Sequence, residues 1–232
     1  QVIREQMQFA IKESLASLKK IAVFDMDNTI IRASFIQTAA KHFDFKNELI
    51  DIATAQHNAN IRTKQIAQIL KVKTIAQILE VADSIPLSSN IENTIKVLKE
   101  RGYIVGIISD SYDCVTNHFK NKFGFDFSLG NELEFSKSIA TGEVKIPSFF
   151  LANEDSQCKH DYCKLNAIIS VCKKYDVDLK NTVVIGDGEN DVCGIKKSGI
   201  GVSFCSTYSM LDLIADYVIK EPNFDKILEL AD

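Results

Sequence analysis

Short β-branched runs that alternate with stretches of helical spacing are the feature that most narrows what this chain can fold into. Ile21 to Phe24, Tyr103 to Ile108, Thr182 to Ile185, Gly201 to Phe204 and Tyr217 to Ile219 read as strands. They are almost continuously apolar, which predicts burial on both faces, as in a parallel sheet covered by helices. Between them lie helical patterns such as 91–101, where Ile91, Ile95 and Leu98 recur every three to four residues and Gly102 is a natural stop. The expected fold is α/β, a Rossmann-like parallel sheet core flanked by helices.

One stretch breaks the rhythm. Residues 35–86 carry no strand-like run and repeat helical spacing through Ile50, Ile66, Ile69, Ile75, Ile78 and Leu79, until Pro86 ends the pattern. The organisation read from this is an N-terminal helix over 1–19, a core made of 20–34 and 87–232, and a helical insertion at 35–86. A small antiparallel excursion with its turn at Ala140-Thr141-Gly142 is expected within 133–144, whereas the polar segment 147–163 matches no element. Residue 1 is Gln, so the chain reads as a piece of a longer polypeptide.

Composition narrows the partners. Apolar residues are 46% and charged residues 25% of the 232, and the net charge is −4, without any run of five like charges. Neither nucleic acid nor a membrane surface finds an electrostatic footprint here, and no apolar run is long enough to span a bilayer. A small molecule is the expected partner and the cytoplasm the expected location. The six cysteines show no disulfide framework and read as reduced thiols. Cys158, His160 and Cys163 could suggest a zinc site, but three potential ligands in a polar loop without a fourth argue against one. His42, His57 and His118 fall on helical segments and read as surface or packing residues.

The chemistry concentrates at strand ends. Ile21-Ala22-Val23-Phe24 runs into Asp25-Met26-Asp27, and Val183-Val184-Ile185 runs into Gly186-Asp187-Gly188-Glu189-Asn190-Asp191. In an open parallel sheet ligands bind beyond the carboxyl ends of strands, where these acids stand. A lone D-x-D is also read as a solvated turn or as the metal motif of nucleotide-sugar transferases, and an EF-hand is disfavoured by the absence of a glycine at its sixth position. Two acidic tips in one sheet would repel each other unless a hard divalent cation lay between them, and oxygen-only ligands suit Mg²⁺. Ser109, in Gly106-Ile107-Ile108-Ser109-Asp110-Ser111, offers a hydroxyl before a helix start, read either as a phosphate cradle or as an ordinary N-cap. Lys164 opens a helix about twenty residues before the second acidic strand.

In this order and spacing, the four segments resemble the four motifs of the haloacid dehalogenase-like hydrolase superfamily, and of its phosphoserine phosphatase branch in particular. The resemblance covers nearly everything from Lys20 to the end, including 196–204, with clear matching positions lacking in the helical insertion and in 147–163. It implies that the insertion, 35–86, is a small helical cap that closes over the substrate. It implies hydrolysis of a small phosphorylated metabolite through an aspartyl-phosphate, with Asp25 as nucleophile and Asp27 as general acid and then base. It also implies Mg²⁺ held by Asp25, the main-chain carbonyl of Asp27 and Asp187, with Asp191 supporting the site. Ser109 and Lys164 match the groups that grip the phosphoryl oxygens, and Asn190 matches a position that contacts phosphate or orients ligand.

The chain departs from that branch where the substrate's amino-acid end is gripped. Ser34 stands where the branch carries a glutamate, and Arg62 is near, but out of register with, the cap arginine. Asp110 occupies a position that is also acidic in relatives acting on phosphoethanolamine and phosphocholine, and reads equally as partner of a substrate cation or as an N-cap. Phosphoserine leads, with phosphoethanolamine or phosphocholine as the alternative. From other classes, a nucleotide-sugar transferase would need a nucleotide-binding region ahead of Asp25, and a non-catalytic Mg²⁺ or phosphate-binding module would be expected to lack Asp25 or Asp27.

Overall fold

A computed structural model describes residues 2–17 and 19–231. The chain opens with helix α1 (Val2–Ser17); of the segment expected to form an N-terminal helix, residues 1 and 18 lie outside the described residues. Strand β1 (Lys20–Phe24) leads into α2 (Phe35–His42), α3 (Lys46–Ala55), α4 (Ala59–Ile69) and α5 (Ile75–Ser84). Next come α6 (Ile91–Glu100), β2 (Tyr103–Tyr112), α7 (Asp113–Phe123), β3 (Phe127–Ser136) and β4 (Ile139–Lys145). The second half runs α8 (Lys164–Tyr175), β5 (Thr182–Gly186), α9 (Val192–Lys197), β6 (Ile200–Phe204), α10 (Ser209–Ile214), β7 (Tyr217–Ile219) and α11 (Asp225–Leu230).

The described strands form one sheet in the order β4-β3-β2-β1-β5-β6-β7, parallel throughout except for the β3–β4 hairpin. Alternation within β1 shows why the run had to be apolar on both sides. Ala22 and Phe24 pack into one core cluster with α6, α7 and Phe224, while Ile21 and Val23 pack into the other against Ile168 and Val171 of α8. Burying each such side chain contributes roughly 1.5–3 kcal/mol before conformational entropy is set against it. Among the described residues, no helix is long and apolar enough to cross a membrane.

Register positions the site. Phe24 stands level with Ile107 of β2 and Ile185 of β5, and the Asp25 N–H donates to the Ile185 carbonyl at 2.8 Å. The residues just beyond these three level positions therefore lie side by side, where the strand order reverses on either side of β1.

The helical stretch α2–α5 leaves and rejoins the sheet at neighbouring points. Arg32 N–H donates to the Pro86 carbonyl (2.8 Å) and Ser88 N–H to the Ile30 carbonyl (2.9 Å), so the outgoing and returning chains form a two-stranded neck. The far side is tied to β4: Val72 N–H reaches the Ala140 carbonyl (3.0 Å), Ala140 N–H the Lys73 carbonyl (2.8 Å), and Gln68 Nε2 the Gly142 carbonyl (2.9 Å).

Three local expectations need correction. The strand expected to end at Ile108 continues to Tyr112, and α7 begins only at Asp113, so Ser109 and Asp110 do not open a helix. The pairing with β3 shifts between Ile108 and Tyr112, and Asn131 Nδ2 donates to the Asp110 carbonyl at 2.6 Å, which keeps this irregular stretch extended. The hairpin turn lies at Lys137-Ser138, both with positive φ, rather than at Ala140-Thr141-Gly142, which belongs to β4. There the Ser138 carbonyl accepts from Ile75 N–H at 2.9 Å, so contact with α5 selects a turn that the residue types alone disfavour. The third is 147–163, which is a short 3₁₀ turn (Ser148–Phe150) followed by a loop closed by an antiparallel bridge from Leu151 to Tyr162.

Candidate active site

Asp25 leaves β1 with its carboxylate almost fully buried, and the buried Lys164 at the first turn of α8 places Nζ 2.5 Å from Asp25 Oδ1 and 2.9 Å from Asp191 Oδ1. Lys164 therefore bridges the tips of β1 and β5. Asp191 is fixed from the other side, because its Oδ2 accepts the N–H groups of Asp187 (3.1 Å) and Gly188 (3.2 Å). Gly186 is required at the base of this loop, since a Cβ there would stand 2.4 Å from the Asp191 carboxylate. Ser206 Oγ donates to the Asp187 carbonyl at 2.6 Å and Thr29 Oγ1 reaches its side chain at 3.5 Å. Sequence reading passed over both residues, which carry no local signal of their role.

Electrostatics follow from this crowding. Burial raises the Asp25 pKa well above the usual carboxylate value, with Asp191, Asp187 and Asp27 adding to the rise and Lys164 opposing it. For Lys164, burial alone would lower the pKa, but Asp191 and Asp25 outweigh it and hold the ammonium protonated. Burial, then Asp191, brings Asp187 to about 6. Burial is also the largest cause of the rise of Asp27 to about 7, aided by Asp110 and opposed by the Phe35 N–H, which donates to its Oδ1 at the start of α2. Burial thus pushes both carboxyls of this turn upward, but their surroundings differ: Asp25 is tied to the Lys164 ammonium, whereas Asp27 can carry a proton near neutrality.

Carboxylate oxygens of Asp25, Asp187 and Asp191 lie within 4.8 Å of one another. Three hard oxygen donors converging around a single shared ammonium fit a divalent cation of the Mg²⁺ type, which would relieve their mutual repulsion.

A cleft of about 470 Å³ opens above this cluster, lined by Asp110, Tyr162, Lys164 and Asn190 on the sheet side and by His57 and Arg62 from the helical stretch. Arg62 thus lines the same cleft as Lys164. Asp110 is no helix cap: its Oδ2 accepts from Asn190 Nδ2 at 2.8 Å, and Tyr112 occupies the N-cap position of α7. Ser109 is fully buried and its Oγ accepts from Ser111 N–H at 3.1 Å, one residue beyond the point level with Asp25. Ser34 is the N-cap of α2, with Oγ accepting from Gln37 N–H, and does not line the cleft.

Residues 19–199 match the family model described as haloacid dehalogenase-like hydrolase, more than half of the chain. The chain belongs to the haloacid dehalogenase-like hydrolase family. Within that family it is phosphoserine phosphatase-like. It is 27% identical to a phosphoserine phosphatase of Methanocaldococcus jannaschii, covering 91% of this chain and 97% of that protein. It is likewise 27% identical to a phosphoserine phosphatase of Archaeoglobus fulgidus, covering 88% of this chain but 57% of that longer protein. Among solved structures, a phospho-aspartyl intermediate analogue of phosphoserine phosphatase superposes with a TM-score of 0.75 at 27% identity, covering 91% of this chain and 98% of that one.

Proposed function

We propose that the chain is a Mg²⁺-dependent phosphomonoesterase that works through an aspartyl-phosphate on Asp25 and takes phosphoserine as substrate. The observation that carries this reading is the pair of neighbouring carboxyls in different surroundings, Asp25 held 2.5 Å from the Lys164 ammonium and Asp27 with its pKa raised to about 7. Relatives with this architecture include phosphoserine phosphatases, one of them solved as a phospho-aspartyl intermediate analogue.

An Asp25 carboxylate oxygen attacks phosphorus, the bond from phosphorus to the ester oxygen breaks, and Asp27 gives its proton to the departing alkoxide. Asp27, now ionised, takes a proton from the water that attacks the acyl-phosphate, releasing inorganic phosphate and restoring Asp25. Lys164 and Ser109 steady the phosphoryl oxygens as charge builds on them, a kind of contact whose loss typically costs on the order of 10² to 10³ in rate. Asp25, Asp187 and the Asp27 carbonyl would hold Mg²⁺, braced by Asp191, and the bound ion supplies charge neutralisation for the phosphoryl group. The helical stretch, 35–86 in the cap reading, closes over the substrate and keeps out competing water. Six unpaired thiols suit a reducing, cytoplasmic setting.

For the substrate, Arg62 in the cleft suits a carboxylate and Asp110 suits an ammonium, the two charges of a phosphorylated amino acid. Asp110 by itself also favours phosphoethanolamine. Comparing kcat/KM for phosphoserine, phosphoethanolamine, phosphocholine and glycerol phosphate, in wild type and Asp110→Asn, tests this. Phosphoserine should rank first, with a loss in the variant confined to amine-bearing substrates. Best activity on glycerol phosphate in both proteins sinks the amino-acid assignment, and a lead for phosphoethanolamine transfers the role of Arg62 elsewhere.

A further inference from the structure

Beside the cleft, a second group of side chains converges that the phosphatase reading leaves unused. Cys158, His160, Cys163 and Cys193 bring one ligand atom each to within 4.8 Å of one another, and Cys193 Sγ lies 3.5 Å from His160 Nδ1. The sequence argued against zinc for want of a fourth ligand, and the fold corrects this by bringing Cys193 in from α9, thirty residues beyond Cys163 in the chain. Tetrahedral zinc at about 2.3 Å from sulfur and about 2.0 Å from nitrogen needs ligand atoms roughly 3.5–3.8 Å apart, so this group stands close to a coordination shell.

The loop that carries the cluster has no other obvious reason to stay in place. No residue from 152 to 161 is buried. What fixes its course is the Leu151–Tyr162 bridge, the hydrogen bond from Ala152 N–H to the Asp161 carbonyl, a few turn bonds around Asn153 and an exposed ion pair from Asp155 to Lys173. Nevertheless, two side chains from its far end meet a thiol at the start of α8 and another on α9. Thiols that merely fill a core sit among apolar neighbours, whereas Cys163 and Cys193 share their wall of the cleft with His160, Glu189 and Asn190.

We propose that Cys158, His160, Cys163 and Cys193 form a zinc site of the closed, structural kind. Three thiolates and one imidazole are a soft donor set that selects zinc over the hard cation of the carboxylate cluster, and four protein ligands leave no position for substrate. Cys163 immediately precedes Lys164, and Cys193 follows Asp191 by two residues. The metal would therefore staple the loop to the starts of the two helices that deliver Lys164 and Asp191 to the reaction centre, and its ligands act as positioning residues.

Metal analysis decides the matter. Full-length protein grown with added zinc, kept under reductant and washed with EDTA should retain about one zinc per chain. Cobalt(II) exchanged into it should give the thiolate charge-transfer and intense visible absorption of a tetrahedral sulfur site, which an oxygen-ligated cation cannot produce. Cys158→Ser and Cys193→Ser should lose both signals, and His160→Asn, at an exposed position that leaves the fold intact, should weaken zinc binding by more than the roughly 10- to 100-fold typical of an outer-sphere change. Cys114→Ser, on α7, should keep its zinc. Absence of retained zinc and of thiolate absorption in folded wild type would overturn the assignment, as would undiminished zinc in His160→Asn and Cys193→Ser. So would Cys158 and Cys193 recovered as a disulfide from protein kept reduced.

Discussion

The tips of β1 and β5 and the helical stretch between β1 and α6 face each other across one cleft, yet they are built on opposite principles. At the tips, Asp25, Lys164 and Asp191 are almost fully buried and held by register, a salt-bridged lysine and backbone N–H groups. In the helical stretch α3 buries no residue, Ile50 is half exposed, and Arg62 reaches the cleft from a helix whose buried contribution is Ala67. A reaction needs groups fixed to fractions of an ångström, whereas selection among substrates needs only charges of the right sign within reach. On the proposed function, rigid burial serves the chemistry and the more exposed surface the choice of substrate.

The largest effect should come from the tips. Asp25→Asn removes the oxygen nucleophile and should lower kcat by roughly 10⁴-fold or more for every substrate, with no phosphoenzyme detectable by mass spectrometry after acid quench. Residual activity of more than a few per cent would break the division at its root.

Asp27→Asn comes next and is graded by leaving group. An alkyl phosphate should lose roughly 10² to 10⁴ in rate and p-nitrophenyl phosphate much less, because a good leaving group needs little protonation. With its pKa near 7, Asp27 loses its proton as pH rises through neutrality, so wild-type cleavage of alkyl esters should fall above pH 7 and the variant should lack that limb. The same shift bears on stability. A carboxyl raised from 3.8 to about 7 contributes stability that is full at low pH and lost as pH rises through 7. Asp27→Asn should therefore raise the melting temperature most at pH 8, and a gain confined to pH 4 contradicts the burial effect.

Across the cleft, smaller and more selective changes are expected. Arg62→Gln should raise KM for carboxylate-bearing esters about tenfold while leaving phosphoenzyme formation from acetyl phosphate within a factor of two or so. Uniform losses on all substrates would place Arg62 with the chemistry instead. Smallest of all, Ser34→Ala removes an N-cap whose bond is long, 3.5 Å, and should cost about 0.5 kcal/mol of stability in denaturant melts without reordering substrates. A changed substrate ranking would restore Ser34 to the selecting surface.

What was legible in the sequence tracks how local each determinant is. Strands β1, β2 and β5 and the acids at their ends were readable because an apolar run and the turn after it are written in consecutive residues. Lys164 counted for little alone and gained meaning only from the order of the other motifs. Asp110 was ambiguous because its partner Asn190 stands 80 residues away, and only the sheet's reversal around β1 brings them together. Cys193 was read only as one of six reduced thiols for the same reason, since its neighbours belong to a loop on the other side of α8 and β5 in the chain. The hairpin turn was misplaced because Lys137 and Ser138 adopt it through contact with α5, which no local propensity encodes.

The two-stranded neck at Arg32–Pro86 and Ile30–Ser88 has a consequence for how this molecule can diversify. Because the chain leaves and re-enters the sheet at adjacent points, residues can be gained or lost in the exposed turns of α3, between α2 and α4, without sliding β1 against β2. Phe24 stays opposite Ile107 whatever the length of the excursion. Descendants of such a chain can trade one excursion for another as a single genetic unit, inheriting the reaction intact while acquiring a different appetite.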